Sequence, residues 1–260
     1  MNRKVIAAVL GAAAVLCIGM GIRSWMQEQN AGKIYEELQE EVTDEPDVEP
    51  KKAEEMTEPE ETEAESLEIP IDFDQLQQEN PDIYAWITVP GTDVDYPIVQ
   101  KEGDNGYYLN HNINGDKDTA GAIYTEDYNH KDFEDPNTVI YGHNMKNGTM
   151  FRTLHNYEDR SFFDENREVL IYMPGEIRHY QIFAAYVYDN RHLLLNFDFD
   201  DPDVYQSYLN TVSSIRDMNS FVDTSMEMTV EDKIITMSTC YKGMEDRRYL
   251  VQAVLVSIES

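Results

Sequence analysis

The chain has 260 residues, of which 51 are acidic and 20 are basic, so its formal net charge at pH 7 is -31. A surface this acidic argues against nucleic acid as a partner, because binding phosphates requires lysine and arginine. The length allows one large domain or two small ones, with room for a substantial core.

An apolar segment near the N-terminus predicts a membrane anchor. Asn2-Arg3-Lys4 precede an apolar run over residues 5–22, which at about 1.5 Å per helical residue is long enough to cross a bilayer. The positive charge before the run predicts that residues 1–4 are cytoplasmic and that the rest of the protein is extracellular. We favour a retained anchor over a cleaved signal peptide, since no small-x-small cleavage site follows Ile22.

Residues 23–66 differ in composition from what precedes and follows them. They are polar, and from residue 36 onward they are rich in acidic residues and proline, which predicts an extended extracellular stalk. Residues 28–38, at its start, are compatible with a helix. We expect the folded domain to comprise residues 67–260. Its one cysteine is Cys240, so no disulfide can form within it.

The pattern of residues 67–260 predicts a mainly β domain. Asp72 is expected to cap a short helix that ends before Pro81, residues 81–86 predict a second helical turn, and Asp201-Pro202 predict the start of a longer helix. Short apolar runs separated by turn residues predict a barrel or sandwich of eight strands. The predicted strands cover residues 86–89, 94–99, 121–124, 138–141, 169–172, 180–187, 233–240 and 249–258.

Two of these strands lead to a residue that could take part in catalysis. The β-branched run 233–240 ends at Cys240, and side-chain alternation puts Ser238 on the same face as the thiol. The run 137–141 is followed by Gly142-His143, so a histidine is presented in the same way. A free cysteine is most often a small core residue, and a lone histidine is most often structural. Neither residue by itself therefore indicates a catalytic site.

Two arginines, Arg247 and Arg248, begin the strand that follows Cys240. A hairpin would bring one of them beside the thiol, whereas the alternative is a solvated arginine that neutralises a nearby acid. A thiolate, a histidine and an arginine together suit acyl transfer, since they supply a nucleophile, a proton carrier and an oxyanion donor. The other five histidines lie in polar or loop-like surroundings and are not assigned to the site. The chain has no zinc spacing, calcium loop or phosphate loop, so we expect no metal and no cofactor.

These residues resemble the sortases, the membrane-anchored cysteine transpeptidases of Gram-positive bacteria. The family's Thr-Leu-x-Thr-Cys motif appears as Thr236-Met-Ser-Thr-Cys240, with methionine in place of leucine. Residues 141–145, Tyr-Gly-His-Asn-Met, and residues 148–151, Gly-Thr-Met-Phe, are similar to class B sortases. The similarity runs in order from about Ile71 to Ile258, so it is far more specific than a lone cysteine motif.

The resemblance implies an eight-stranded sortase β-barrel with N-terminal helices and a helix inserted before the cysteine strand. It implies that Cys240 is the nucleophile and that His143 is the general acid and base. Arg248 is the implied third catalytic residue rather than Arg247, because an alanine follows it five residues later as in the family. Three further residues are implied to line the substrate groove: Tyr141, Ser238 and Thr239.

The implied reaction cleaves a C-terminal sorting signal of the NPxT[G/N] type after threonine and transfers the protein to an amino group of a peptidoglycan precursor, lipid II. The implied partners are surface proteins that bear this signal, the precursor, and the membrane. Three alternatives stay open: a sortase that polymerises pilins onto a lysine, an L,D-transpeptidase, and a tethered surface protein without activity. The L,D-transpeptidases are disfavoured because their cysteine follows glycine, whereas Thr239 precedes Cys240 here.

Overall fold

The computed structural model describes residues 32–36, 38–39 and 67–260. The predicted cytoplasmic residues 1–4 and the predicted anchor, residues 5–22, lie outside this part of the chain. Within the described part, no helix combines the length and the apolar character needed to cross a membrane.

Within residues 67–260, nine strands form one sheet that closes into a barrel. They are β1 (Ile83–Val89), β2 (Val94–Val99), β3 (Ile123–Thr125), β4 (Asn137–Tyr141), β5 (Glu168–Met173), β6 (Glu176–Asp189), β7 (Phe221–Val222), β8 (Ile234–Tyr241) and β9 (Met244–Glu259). Eight strands make the closed ring in the order β5-β1-β2-β3-β4-β8-β9-β6, and the pairing of β6 with β5 completes it. This confirms the predicted eight-stranded barrel. The two-residue strand β7 was not predicted, and it pairs with β6 at Ala184 and Ala185, beyond the residues of β6 that pair with β5.

The helices are short and lie outside the ring. They are α1 (Phe73–Glu79), α2 (Arg160–Glu165), α3 (Leu193–Asn196) and α4 (Pro202–Ser213), together with two 3-10 helices at Tyr107–Leu109 and Arg152–Glu158. As predicted, Asp72 caps α1 by accepting a hydrogen bond from the Gln75 backbone N–H at 2.9 Å. The inserted helix before the cysteine strand is α4, and Asp201 caps it by accepting from two backbone N–H groups of its first turn.

The prediction of a helical turn at residues 81–86 is wrong. Most of this segment belongs to β1, which pairs with β2 on one side and with β5 on the other. Isoleucine, tyrosine and tryptophan suit a pleated, buried surface better than an isolated turn. The Trp86 indole also donates a hydrogen bond to the Asp95 carboxylate in β2 at 2.6 Å, which fixes the pairing.

Strand β8 lies inside the sheet between β4 and β9 and is buried on both faces. Ile234 packs in a cluster with the buried residues of α4 and with Leu250, and we call this side of β8 and β9 the helix face. Ile235 and Met237 point to the opposite face and belong to the larger core cluster. The polar Thr236 is fully buried, and its hydroxyl donates to Asn137 Oδ1 at 2.8 Å while accepting from Gln252 at 2.7 Å.

The helical residues 32–36 and 38–39 pack on the barrel. Tyr35 and Leu38 are buried, and the Tyr35 hydroxyl donates to the Gly121 carbonyl at 2.8 Å. The Tyr35 ring meets the edge of Tyr96 at a centroid distance of 5.3 Å. The described residues therefore agree with the helix predicted for 28–38. For Glu36, Leu38 and Gln39 the prediction of an extended stalk is wrong, and residues 40–66 lie outside the described part.

Candidate active site

The register of β4 and β8 brings His143 and Cys240 to the same end of the barrel. The two strands are parallel, and their last paired residues are Tyr141 and Ser238. One further backbone bond, from the Gly142 N–H to the Ser238 carbonyl at 3.1 Å, continues the pairing. His143 and Cys240 each lie two residues beyond that last pair, so both side chains emerge on the helix face.

The pairing of β8 with β9 adds the arginine. Cys240 lies directly opposite Arg248 in this antiparallel pair, and opposite residues on neighbouring strands share a face. Arg248 is half-buried, whereas Arg247 is exposed. Arg248 Nη1 donates to the carbonyls of Glu245 at 3.2 Å and Arg247 at 3.0 Å, which orients the guanidinium.

A groove with a volume of about 240 Å3 lies on the helix face at this end of the barrel. All six residues that the sequence analysis assigned to the site line it: Tyr141, His143, Ser238, Thr239, Cys240 and Arg248. Arg247 is not among the lining residues. Apolar side chains, among them Leu109, Leu193 and Leu250, line other parts of the groove. The structure thus brings the predicted residues together around one cleft.

The hydrogen bond of His143 fixes which ring nitrogen carries a proton. Nε2 lies 2.8 Å from the Leu109 carbonyl oxygen. A carbonyl can only accept a hydrogen bond, so Nε2 carries the proton, and in the neutral imidazole Nδ1 has the free lone pair. Nδ1 is therefore the nitrogen that can exchange protons with a thiol or an amine.

Glu126 and His192 also line the groove, although the sequence analysis did not assign either residue to it. Glu126 Oε2 lies 2.6 Å from His192 Nε2. Burial raises the pKa of Glu126 above its ordinary value, and the nearby His192 opposes this shift only in part. A signal for Glu126 was present in the sequence, because it lies two residues beyond a predicted strand just as His143 does.

Two tyrosines beside Glu126, Tyr124 and Tyr141, stay neutral. The rings of Tyr124 and Tyr141 stack with their centroids 5.3 Å apart. Burial, followed by the charge of Glu126, raises the pKa of each tyrosine well above its ordinary value. Both phenols therefore remain protonated at physiological pH and can act as hydrogen-bond donors.

A second group of polar side chains contacts the backbone of Cys240 from behind the groove. Asn144 Nδ2 donates to the Cys240 carbonyl at 2.8 Å, and His155 Nε2 lies 3.1 Å from the same oxygen. His155 Nδ1 lies 2.9 Å from Glu158 Oε1. We call Asn144, His155 and Glu158 the rear cluster. No motif indicated His155 or Glu158, because their closeness to Cys240 depends on how the 3-10 helix at Arg152–Glu158 packs on the barrel.

Among residues 32–36, 38–39 and 67–260, no three His, Cys, Asp or Glu side chains lie close enough together to hold a metal ion.

Known proteins share this arrangement. The sequence model of the sortase domain matches residues 87–256, which include every assigned site residue. The chain belongs to the sortase family. Sortase B of Listeria monocytogenes is 35% identical to it over 193 residues, which cover 73% of this chain and 76% of that protein.

Solved structures place the chain in class B. Sortase B from B. anthracis, in complex with AAEK1, superposes with a TM-score of 0.71 at 30% identity and covers 90% of this chain and 99% of its own. The Staphylococcus aureus sortase B–substrate complex gives a TM-score of 0.63 at 28% identity, over 71% of this chain and 84% of that one. The protein is thus a class B sortase, a cysteine transpeptidase of the cell surface that anchors surface proteins.

Proposed function

We propose that this sortase is held in the membrane by residues 5–22, cleaves surface proteins after the threonine of an NPxT[G/N]-like signal, and joins them to an amino group of the peptidoglycan precursor lipid II. The observation that supports the proposal is the strand register, in which Cys240 of β8 lies opposite Arg248 of β9 and His143 follows β4 at the same groove.

In the first half-reaction, Cys240 passes its thiol proton to His143 Nδ1, and the resulting thiolate attacks the carbonyl carbon of the threonine. The C–N bond to the following residue breaks, and His143 donates a proton to the departing amine. This leaves the protein attached to Cys240 as a thioester. The cationic Arg248 opposite the thiol favours the thiolate before attack.

Arg248 also donates to the oxyanion that forms during attack. A guanidinium has five N–H donors in a fixed fork, so the two backbone carbonyls that hold Nη1 leave other donors for the substrate. A donor that is already oriented before the reaction needs no reorganisation when charge develops on the oxygen.

In the second half-reaction, an amino group of the precursor attacks the thioester carbonyl. The amine gives a proton to His143, a new amide bond forms, and Cys240 leaves as a thiolate. The catalytic groups return to their starting state, so the energy of the original peptide bond is kept in the thioester and no cofactor is needed.

Tyr141, Ser238 and Thr239 are proposed to contact the sorting signal, since they line the groove beside Cys240. A solved complex of Staphylococcus aureus sortase B with its substrate supports substrate binding by a related protein of this fold. The apolar run 5–22 and the basic residues before it support the anchor, with the catalytic domain outside.

The test is cleavage of a fluorogenic NPxT[G/N] peptide by the full chain in detergent, with and without an added glycine-based amine. We expect cleavage after threonine, and a transpeptidation product when the amine is present. Cys240→Ala should abolish both, whereas the control Cys17→Ala should retain them. Wild-type-like turnover in Cys240→Ala would overturn the mechanism, and a strong preference for a lysine side chain as acceptor would favour pilin polymerisation instead.

A further inference from the structure

The backbone of Cys240 lies where the sheet stops supporting β8. In a strand, the carbonyls of residues i and i+2 point to the same side. The Ser238 carbonyl accepts the Gly142 N–H at 3.1 Å, which is the last backbone bond toward β4. The Cys240 carbonyl, two residues later, points to the same side but lies beyond the end of β4.

Side chains take over at this point. Asn144 Nδ2 and His155 Nε2 contact the Cys240 carbonyl oxygen at 2.8 and 3.1 Å. On the other edge of β8 the register with β9 is also interrupted, because the partner changes from Arg248 to Met244 between Cys240 and Tyr241. The nucleophile's peptide group is therefore held by the rear cluster rather than by a regular ladder.

The orientation of Asn144 in the rear cluster is defined by its neighbours. Arg152 Nη1 donates to Asn144 Oδ1 at 3.1 Å, so the amide nitrogen must be the group that faces the Cys240 carbonyl. Since a carbonyl only accepts, Asn144 is a donor to it whichever tautomer His155 adopts.

The position of His155 is equally constrained. Nδ1 donates to the Glu158 carboxylate at 2.9 Å, so in the neutral imidazole Nε2 accepts from Asn144 Nδ2, which lies 2.9 Å away. The imidazole also stacks on Tyr249 with a centroid distance of 5.0 Å. The side chains of His155 and Glu158 are only 9% and 12% exposed. Glu158 also forms an ion pair with Lys242, just after the cysteine strand. Glu158 therefore anchors both the ring that reaches Cys240 and the turn that follows it.

We propose that Asn144, His155 and Glu158 are positioning residues that fix the peptide group of Cys240 and thereby set the orientation and acidity of its thiol. The Asn144 amide donates to the Cys240 carbonyl, and His155 Nε2 holds that amide in place by accepting from it. This donor reduces the negative potential beside Sγ, which favours the thiolate. It also fixes the backbone torsion from which the side chain projects into the groove. The inference rests on the proposed role of Cys240, and none of the three residues needs to touch the substrate.

The test uses the full chain carrying Cys17→Ala, so that Cys240 is the one thiol. His155→Ala should lower kcat about tenfold and leave KM within about twofold, because it acts on the nucleophile rather than on binding. The rate of Cys240 alkylation by iodoacetamide should reach its half-maximum at a higher pH. His155→Gln should restore most of kcat, since its amide oxygen can still accept from Asn144. His130→Ala, at an exposed site, should match the parent.

The inference is overturned if His155→Ala keeps both the parental kcat and the parental alkylation profile, or if His155→Gln loses as much kcat as His155→Ala at equal thermal stability. If His155→Ala does not fold, Asn144→Ala and Glu158→Gln decide the question by the same two readouts. Alkylation needs no peptide, so it separates this inference from the proposed function. The parent could fail to cleave any sorting peptide while His155→Ala still moves the pH dependence of Cys240 alkylation relative to the parent. That result would contradict the proposed function and support the positioning role.

Discussion

The two sides of Cys240 differ in how their polar groups are satisfied. On the groove side, His143 and Arg248 are half-buried and bond to backbone carbonyls of loop and strand-end residues. On the rear side, His155 and Glu158 are nearly closed to solvent and bond to each other and, through Asn144, to the cysteine backbone. The groove groups remain open to a substrate, whereas the rear groups are committed to the fold. Substitutions on the groove side should therefore remove groups that act on the substrate, whereas substitutions on the rear side should act through the position of Cys240.

The largest effect is expected on the groove side at His143. His143→Ala removes the proton carrier and should lower kcat by about a thousandfold, within the usual range for general acid–base groups. The melting temperature should hardly change, because the imidazole makes one bond to a backbone carbonyl. Peptide cleavage and thermal denaturation check the two halves of this prediction. A His143→Ala enzyme with more than a tenth of the parental kcat would remove His143 from the mechanism.

The next effect distinguishes the two neighbouring arginines. Arg248→Ala should cost roughly a hundredfold in kcat, as for the loss of one oxyanion donor. Arg247→Ala is the matched control, because this arginine is exposed and one residue out of phase; it should stay within about twofold. Steady-state cleavage kinetics compare the pair. The opposite order of effects would show that the register of β8 and β9 is wrong.

A stability effect is expected at the N-terminal helical residues, which support the rear side at a distance. Tyr35 packs against Tyr96, whose hydroxyl accepts the Met150 N–H at 3.0 Å, and Met150 in turn bridges to Asn144. Tyr35→Ala should lower the free energy of unfolding by about 3 kcal/mol, as for other buried aromatic truncations.

Urea denaturation measures this, with Tyr128→Ala as control because Tyr128 is 51% exposed. Equal unfolding free energies in the two variants would contradict the docking of residues 32–36 and 38–39 on the barrel.

The smallest effect concerns Glu126 in the groove wall. Burial raises its pKa in the folded protein above the ordinary value of 4.5. Folding therefore favours the protonated acid, and the resulting stability is lost as the pH rises through the folded-state pKa. Glu126→Gln should thus gain stability relative to the parent as the pH is raised from about 4 to 7.

Melting temperatures over this range check the sign, with Glu165→Gln at an exposed position of α2 as control. A variant that becomes less stable than the parent with rising pH would mean that the contact with His192 outweighs burial.

Much of the barrel was predictable because its strands are β-branched runs with clear turn residues between them. The cysteine motif, the Tyr-Gly-His run and the alanine after Arg248 also carried enough information to assign the groove residues. The segment 81–86 was mispredicted because a proline and a short polar stretch before it imitate a helix start. Pairing with β2 and β5 decides its conformation, and this cannot be read locally.

The rear cluster could not be predicted for a related reason. His155 reaches Cys240 across 85 residues of sequence, through the packing of a 3-10 helix that has no motif. Tyr35 is a similar case, since the sequence was compatible with a helix over residues 28–38 but gave no sign that Tyr35 packs on the barrel. In each case a long-range contact, rather than a local pattern, determines the role of the residue.

The central claim is that Cys240 carries the acyl group, and mass spectrometry of the trapped intermediate tests it most directly. The full chain is incubated with a sorting peptide without an amine acceptor, quenched in acid and digested. We expect a thioester on the Cys240 peptide, with an added mass equal to that of the sorting peptide up to its threonine. Hydroxylamine should release this acyl group. Cleavage of the sorting peptide with the acyl group on another residue, or with no adduct formed at any time, would contradict it.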